Sequence, residues 1–445
     1  LKRLAIRGGN WNNGARAGVF ALNVNNARDR TFSSVGARPA SGERPKRLAH
    51  AARRLHSLKR TRTPRPMAER LNRQTIPVAP RARPFGAAAY FIIMAKTYNG
   101  LYPEIYDYAS LHAAYLRARR SKRDLPEVVQ FEADLESNLI QLQNELIWGM
   151  YKTGNYRRFF VREPKRREVA ALPFRDRVLQ HALVAVIEPI WERRFIASSH
   201  ACRPRHGTHR GASQVQRYIR EVKRQHGHVY VLKADISKYF ASVDHAVLKQ
   251  LVHRHIRCKP TLDLIDAIID SANRAPDSLC PKGLPIGNLT SQLLANVYLH
   301  ELDKFCKHTL REKYYVRYMD DFVIVHHDKA HLHRIRARIE AFLWSELRLQ
   351  TNRKTCVEPI TEKNPLDFVG YRIFTTHRRL RIDSIKRIKT SLRRLQRQYA
   401  HGRATLSDIR PVVCSWIAHA SHADTFGLRR KLLESFPFTT ATSGA

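Results

Sequence analysis

Residues 314–325 read Tyr314-Tyr-Val-Arg-Tyr-Met-Asp-Asp-Phe-Val-Ile-Val325. Two apolar, β-rich runs, Tyr314–Tyr318 and Phe322–Val325, flank Met319-Asp320, and this pattern predicts a tight hairpin with its aspartates at the turn. Upstream, His228-Val-Tyr-Val-Leu-Lys-Ala234 is another β-rich run, and it ends on Asp235. If these strands are neighbours in one sheet, Asp235, Asp320 and Asp321 meet at one edge. Asp is among the commonest turn residues, so each carboxylate taken alone reads as structural. Their joint setting is what points to chemistry.

Three converging carboxylates on rigid strands suit two divalent cations about 4 Å apart, the arrangement that activates a hydroxyl and neutralises a leaving pyrophosphate. Hard, octahedral Mg²⁺ favours carboxylate oxygens together with water and substrate phosphates. Composition agrees with a phosphate-rich partner. The chain has 80 Lys+Arg against 38 Asp+Glu, a net charge of +42. Such an excess repels itself unless a polyanion is near, so nucleic acid is the expected partner. The same charge would also suit a non-catalytic protein that merely binds RNA backbones.

The cysteines, Cys202, Cys258, Cys280, Cys306, Cys356 and Cys414, are scattered and never at CxxC spacing. A zinc ribbon is therefore not expected, and a reducing compartment is. The longest apolar run, Ala87–Met94, is too short for a bilayer, so no membrane partner is expected and the location is read as cytoplasmic. Within His326, His327, Asp328, His331 and His333, the expectation is a solvated loop rather than a metal site.

Residues 1–93 differ from the rest. They hold 20 Lys+Arg against Asp29, Glu43 and Glu69 and show no sustained periodicity. Such a segment buries too little apolar surface to offset its ordering entropy. It reads as a disordered extension upstream of a start at Met94, with an RNA-binding arm as the other reading. Beyond it, Leu125–Met150 predicts one amphipathic helix through Phe131, Leu135, Leu139, Leu142 and Leu146, and Arg175–Phe195 a second. Asp244 is read as an N-cap. A further helix should run from Asn288 toward Leu310. In the tail, Asp383 is read as the cap of a helix stopped by Gly402. One of its faces is apolar, with Ile385, Ile388, Leu392, Leu395 and Tyr399. The other is basic, with Lys386, Arg387, Lys389, Arg393, Arg394 and Arg397, a surface suited to phosphates.

Several motifs together resemble one family. Tyr318-Met-Asp-Asp321 is similar to the YxDD signature of reverse transcriptases. Asp235-Ile-Ser-Lys-Tyr-Phe240 resembles that family's first catalytic motif, and Gly283-Leu-Pro-Ile-Gly-Asn-Leu-Thr-Ser-Gln-Leu-Leu-Ala-Asn296 its nucleotide-binding motif. Leu349-Gln-Thr-Asn-Arg-Lys-Thr355 and Asp367-Phe-Val-Gly-Tyr371 resemble the later motifs, the second being the primer grip. Arg167-Glu-Val and Asp176-Arg177 resemble motifs of the fingers. The resemblance runs in the family's order from residue 95 to residue 435.

It implies an α+β, right-hand polymerase: fingers over 94–228, a ferredoxin-like palm with an antiparallel sheet over 229–378, and a helical thumb over 379–445. It also implies roles. Asp235, Asp320 and Asp321 would hold two Mg²⁺ ions, with Mn²⁺ as an alternative, and Lys354 would protonate the leaving pyrophosphate. Lys165 and Arg167 would clamp the triphosphate of an incoming dNTP. Phe240 would be the steric gate against a 2′-hydroxyl, whose other reading is a core aromatic. Ile286, Gly287 and Gln292 would line the nucleotide, and Phe368, Gly370 and Tyr371 would grip the primer. Template RNA, primer and cDNA are the implied partners.

Group II intron and retron enzymes typically carry Gln before the motif glycine and Ser-Pro after it. Here Ile286-Gly287 and Ser291-Gln292 stand instead. That departure resembles the reverse transcriptases of diversity-generating retroelements. So do Arg175-Asp-Arg-Val-Leu-Gln-His181, Ala201-Cys-Arg203 with Gly207-Thr-His209, and Trp416-Ile-Ala-His-Ala-Ser-His-Ala-Asp424. The resemblance implies error-prone cDNA made from a template-repeat RNA for mutagenic retrohoming into a variable repeat, helped by a small basic helical accessory protein. A group II-like or defence-associated reverse transcriptase is the alternative. Neither an RNase H domain nor an HNH or paired-Cys endonuclease module is legible.

Overall fold

The computed structural model describes residues 96–162, 166–271 and 280–439. The expected extension over 1–93, and Lys165, lie outside these residues. Among the described residues the fold is mixed α/β with three antiparallel sheets. A two-stranded hairpin pairs β1 (Arg157–Val161) with β2 (Arg167–Ala171). The central sheet has the order β4-β5-β3-β6, from β3 (Tyr230–Asp235), β4 (Tyr315–Tyr318), β5 (Asp321–His326) and β6 (Cys356–Pro359). A third sheet joins β7 (Leu366–Phe368), β8 (Tyr371–Ile373) and β9 (Arg378–Leu380) in that order.

Helices surround these sheets. Among the described residues four precede the hairpin: α1 (Tyr102–Tyr106), α2 (Tyr108–Ala118), α3 (Pro126–Ala133) and α4 (Leu135–Ile147). Then come α5 (Phe174–Glu192) and α6 (Thr208–His226). Between β3 and β4 lie α7 (Tyr239–Ser242), α8 (His245–His253), α9 (Lys259–Asp270) and α10 (Leu289–Lys304). Beyond β5 follows α11 (Lys329–Leu347), and the chain closes with α12 (Ile382–Ala400), α13 (Leu406–Ala420) and α14 (Phe426–Ser435).

The central sheet is buried on both faces, and the period-2 alternation of its strands sorts side chains between two cores. Leu232, Ala234, Tyr315, Phe322 and Ile324 join the core built with α5, α8, α10 and α11. Val229, Val231, Val316, Val323 and Val325 join a second core with α6, the third sheet and the C-terminal helices. Fully burying each such side chain is worth about 1.5–3 kcal/mol. The strand ends that carry the aspartates are therefore held from two sides.

Several expectations are corrected. Leu125–Met150 is two helices, because Asp134 at φ −135°, ψ 57° leaves the helical region between α3 and α4. The inward set is as the spacing predicts, with Phe131, Leu139, Leu142 and Leu146 buried. Asp383 is not a cap: α12 begins at Ile382 after Arg381, and Asp383 lies in its first turn, where a negative charge complements the helix dipole. Ile388, Leu392 and Leu395 are buried, and Gly402 follows the helix end at φ 67°. Asp244 does cap α8, accepting from Val247 N at 3.2 Å. The histidine-rich stretch is not a solvated loop. His326 ends β5, Asp328 caps α11, and His331 on that helix stacks on His326 at 4.2 Å while bonding Glu312 at 2.8 Å. Burial pushes His326 down to about 4. Among the described residues no helix is long and apolar enough to cross a membrane.

Candidate active site

The expected convergence of strands is present. In the register of β3 and β5, Asp235 is the partner of Asp321, and Tyr318 is the partner of Asp321 across the β4–β5 hairpin. Met319 and Asp320 are left as the two turn residues, with Met319 at φ 57°. A non-glycine residue at positive φ is uncommon and needs surrounding structure to hold it. Burial, then the charges of Asp321 and Asp235, push the Asp320 carboxyl up to about 7, while the Arg167 guanidinium pulls the other way. Two carboxylates close enough to raise the proton affinity of a third make a set that a divalent cation would relieve.

The donor set fits Mg²⁺: hard oxygens, open on one side. Among the described residues no group of three or more His, Cys, Asp or Glu side chains is placed to hold a metal ion by itself. Mg²⁺ is usually held by one or two carboxylates with water and phosphate completing the octahedron, so an open set is the form expected for it.

Asp235 has a partner that motif reading passed over. Asn352 donates its side-chain amide to Asp235 Oδ2 at 3.2 Å and its backbone N–H to the Asp235 carbonyl at 2.6 Å. The segment is fastened by Ser237 N to Gln350 O at 2.9 Å and by the bridge between Ile236 and Thr351. Asn352 lies inside the stretch 349–355 that the sequence singles out for Lys354. The Lys354 side chain is exposed, and its backbone N–H donates to Asn352 Oδ1 at 3.1 Å.

The nucleotide-side candidates gather where β2 meets the start of α10. Ala170 N donates to the Ile286 carbonyl at 2.9 Å. Gly287, at φ 129°, sits so near this strand that a Cβ would lie 2.7 Å from the Ala170 carbonyl oxygen. Only glycine permits that approach. Leu289 N, in the first turn of α10, donates to Gln180 Oε1 at 3.1 Å, and buried Asn288 donates to Tyr156 Oη at 2.9 Å. Ile286 and Gln292 are half-buried here, and Arg167 is exposed at the start of β2. Phe240 is half-buried edge-on to Tyr239 at 5.6 Å, and its carbonyl accepts from Leu284 N at 2.6 Å. Both readings of Phe240, gate and core aromatic, concern this one position.

A family model described as "Reverse transcriptase (RNA-dependent DNA polymerase)" matches residues 161–373, the span that contains all three aspartates. The chain is a reverse-transcriptase-family protein. It is related to group II intron-encoded proteins and intron maturases. Protein YkfC of Escherichia coli is 27% identical over 310 residues, covering 60% of this chain and 79% of that one. The group II intron-encoded protein LtrA of Lactococcus lactis is 28% identical over 176 residues, covering 38% of this chain but only 28% of LtrA. A solved telomerase from Candida albicans, in complex with a fragment of telomeric RNA, aligns at 12% identity and TM-score 0.42, over 64% of this chain and 54% of that one.

The matched region is the catalytic domain of RNA-directed DNA polymerases, and it ends with the last residue of β8. The primer-grip candidates of this reverse transcriptase sit in the third sheet, apart from the groups that touch the aspartates. Phe368 and Tyr371 face each other across the β7–β8 register, and both are buried in the second core. Gly370 (φ 91°) and Val369 (φ 40°) form the turn between them. The Tyr371 hydroxyl is 2.7 Å from His209 Nδ1 and donates to the His419 carbonyl at 3.3 Å, so it ties α6 to α13. Of this set, the turn residues Val369 and Gly370 are only half-buried.

Proposed function

We propose that this reverse transcriptase makes DNA on an RNA template, in the manner of group II intron-type enzymes, using Asp235, Asp320 and Asp321 to hold two Mg²⁺ ions. The observation that carries this reading is the register pairing of Asp235 with Asp321, with Asp320 in the adjoining turn. Bound Mg²⁺ would supply activation of the primer 3′-hydroxyl and charge neutralisation of the departing pyrophosphate. The protein's part is to hold the acids rigid and orient substrate. Arg167 and Lys165 hold the triphosphate, and the loop of Ile286 and Gly287 with Gln292 lines the nucleotide. Phe240 excludes a 2′-hydroxyl, and Lys354 Nζ gives a proton to the leaving group. The Val369–Gly370 turn carries the primer. In this reading residues 94–228 act as fingers, 229–378 as palm and 379–445 as a basic helical thumb, whose exposed Lys386, Lys389, Arg393, Arg394 and Arg397 follow the duplex backbone. Primer extension on an RNA template, with Mg²⁺ or Mn²⁺ and with Asp235→Asn as the control, tests it. Extension by the parent that vanishes in the variant is expected, and equal extension by both removes the aspartates from the chemistry.

A narrower reading is favoured by one position. Ile286 places an aliphatic side chain beside Gly287, where group II enzymes typically have Gln. An aliphatic group offers the nucleotide no hydrogen bond, and discrimination can depend on one such bond. On this reading the enzyme makes error-prone cDNA from a template-repeat RNA for a diversity-generating retroelement, with a small basic accessory protein as partner. The named relatives favour the broader group II reading. Sequencing of the extension products separates the two.

A further inference from the structure

Strand β4 carries an arginine where its inward alternation calls for an apolar residue. Tyr315 and Arg317 share one face of the strand, and Arg317 is 0% exposed. A buried guanidinium is costly unless it is paired and its donors are satisfied, and here both conditions are met. Nε and Nη2 form a two-pronged bond to Asp303 at 2.7 and 2.6 Å, and Nη1 donates to Asn296 Oδ1 and to the Met319 carbonyl, each at 3.1 Å. Asp303, also 0% exposed, accepts a further bond from Tyr315 Oη at 2.8 Å, and Asn296 donates to the Ala201 carbonyl at 2.8 Å. The Arg317 backbone is itself pinned, through its N–H to Ser198 O and its carbonyl from His200 N, both at 2.9 Å.

The bond to Met319 singles this network out. A buried ion pair adds little stability that a well-packed apolar pair would not. An apolar residue at 317, however, would leave the Met319 carbonyl without this donor, in the turn residue at φ 57° that directly precedes Asp320. Asp303 and Asn296 both lie on α10, whose first turn adjoins the Ile286–Gly287 loop. We propose that Arg317 is the positioning residue of the aspartate turn: it locks the Met319 carbonyl to Asn296 and Asp303, so that the turn and α10 hold one geometry. The inference rests on the polymerase reading, which the parent enzyme's extension tests separately in the same experiment.

The test uses the full-length protein on a primed RNA template, with rapid-quench measurement of single-nucleotide addition. Arg317→Lys keeps the charge facing Asp303, but an ammonium lacks the planar fork needed to hold Asp303 and the Met319 carbonyl together. Since small misplacements in an active site can cost 10²-fold, the addition rate should fall about 30- to 100-fold. The Mg²⁺ concentration for half-maximal rate should rise, while burst amplitude and dNTP affinity stay near those of the parent. Without nucleotide or template, the rise in melting temperature on adding Mg²⁺ should shrink. A purely structural role predicts the reverse, a lower burst amplitude with rate and Mg²⁺ dependence unchanged, and that result overturns the proposal. If Arg317→Lys gives no burst, Asn296→Ala decides. It removes one acceptor of Nη1, and a rate lowered about fivefold with weaker Mg²⁺ response supports the proposal; an unchanged rate and Mg²⁺ response overturns it.

Discussion

Asn352 holds Asp235 twice, by its side-chain amide on Oδ2 at 3.2 Å and by its backbone N–H on the carbonyl at 2.6 Å. The first bond fixes which carboxylate oxygen stays free to face a cation. Removing it with Asn352→Ala leaves the backbone bond and hence the fold of the segment. Partners behind a metal ligand typically carry about 10- to 100-fold in metal affinity or activity, and a loss near the lower end is expected here because Asp235 keeps its strand register. Nucleotide-addition rates across a Mg²⁺ titration check this, and a parent-like curve would remove Asn352 from the site.

Asp320 gives a stability signature independent of turnover. Its carboxyl is raised to about 7 by burial and by Asp321 and Asp235, above the ordinary value of 3.8 that it regains on unfolding. Between these values the folded state keeps a proton that the unfolded state has released, so metal-free stability falls as pH rises from about 4 to about 7 and then levels off. Asp320→Asn removes that slope. The variant should therefore gain on the parent through this window, by on the order of 2–4 kcal/mol once pH exceeds 7, while losing primer extension and keeping RNA binding. Metal-free melts of both proteins from pH 4 to pH 9 measure it. Parallel curves would mean that Asp320 is not perturbed by its neighbours.

Gly287→Ala sets a Cβ about 2.7 Å from the Ala170 carbonyl in a backbone conformation that L residues rarely adopt. Either β2 moves away or the loop flips, at a cost of about 1–3 kcal/mol. Because β2 begins at Arg167, the expected outcome is a raised KM for dNTP and a modest drop in Tm. A variant with unchanged KM would show that the β2–α10 junction does not shape nucleotide binding.

How much of this was legible in the sequence depends on whether the signal was local. The turn, the strand ending at Asp235 and the meeting of their carboxylates could be read because alternation and turn chemistry act over a few residues. The break at Asp134 could not, since the apolar positions on both sides keep helical spacing and only the backbone reveals the kink. Asn352 and Arg317 were missed for a different reason. Asn352 is 117 residues from Asp235, and Arg317 meets Asp303 and Asn296 by a strand lying on a helix. Nothing in a run of residues distinguishes a buried arginine whose side chain makes four hydrogen bonds from a solvated one. The primer-grip motif shows another limit of local signal: it marks Phe368 and Tyr371, and only the structure shows that their side chains are buried in the second core.

Ile286 offers the sharpest distinction between the two functional readings. Its backbone carbonyl accepts from Ala170 N at 2.9 Å whatever side chain it carries, so Ile286→Gln leaves the docking of β2 in place. The substitution roughly preserves volume and adds an amide at a half-buried position. If that amide meets the nucleotide, selection tightens. If it finds no partner, burying it costs about 1–3 kcal/mol and some activity is lost. On the retroelement reading the parent misincorporates chiefly opposite template adenine, and Ile286→Gln lowers those errors more than errors opposite other bases. One missing hydrogen bond to a nucleotide can be worth about tenfold in discrimination, so a change of that size is the expected effect. Error spectra of parent and variant on one defined RNA template decide it. A parent without adenine bias leaves the group II reading alone standing. A biased parent whose spectrum the substitution does not change keeps the retroelement reading and moves the cause of infidelity to another residue.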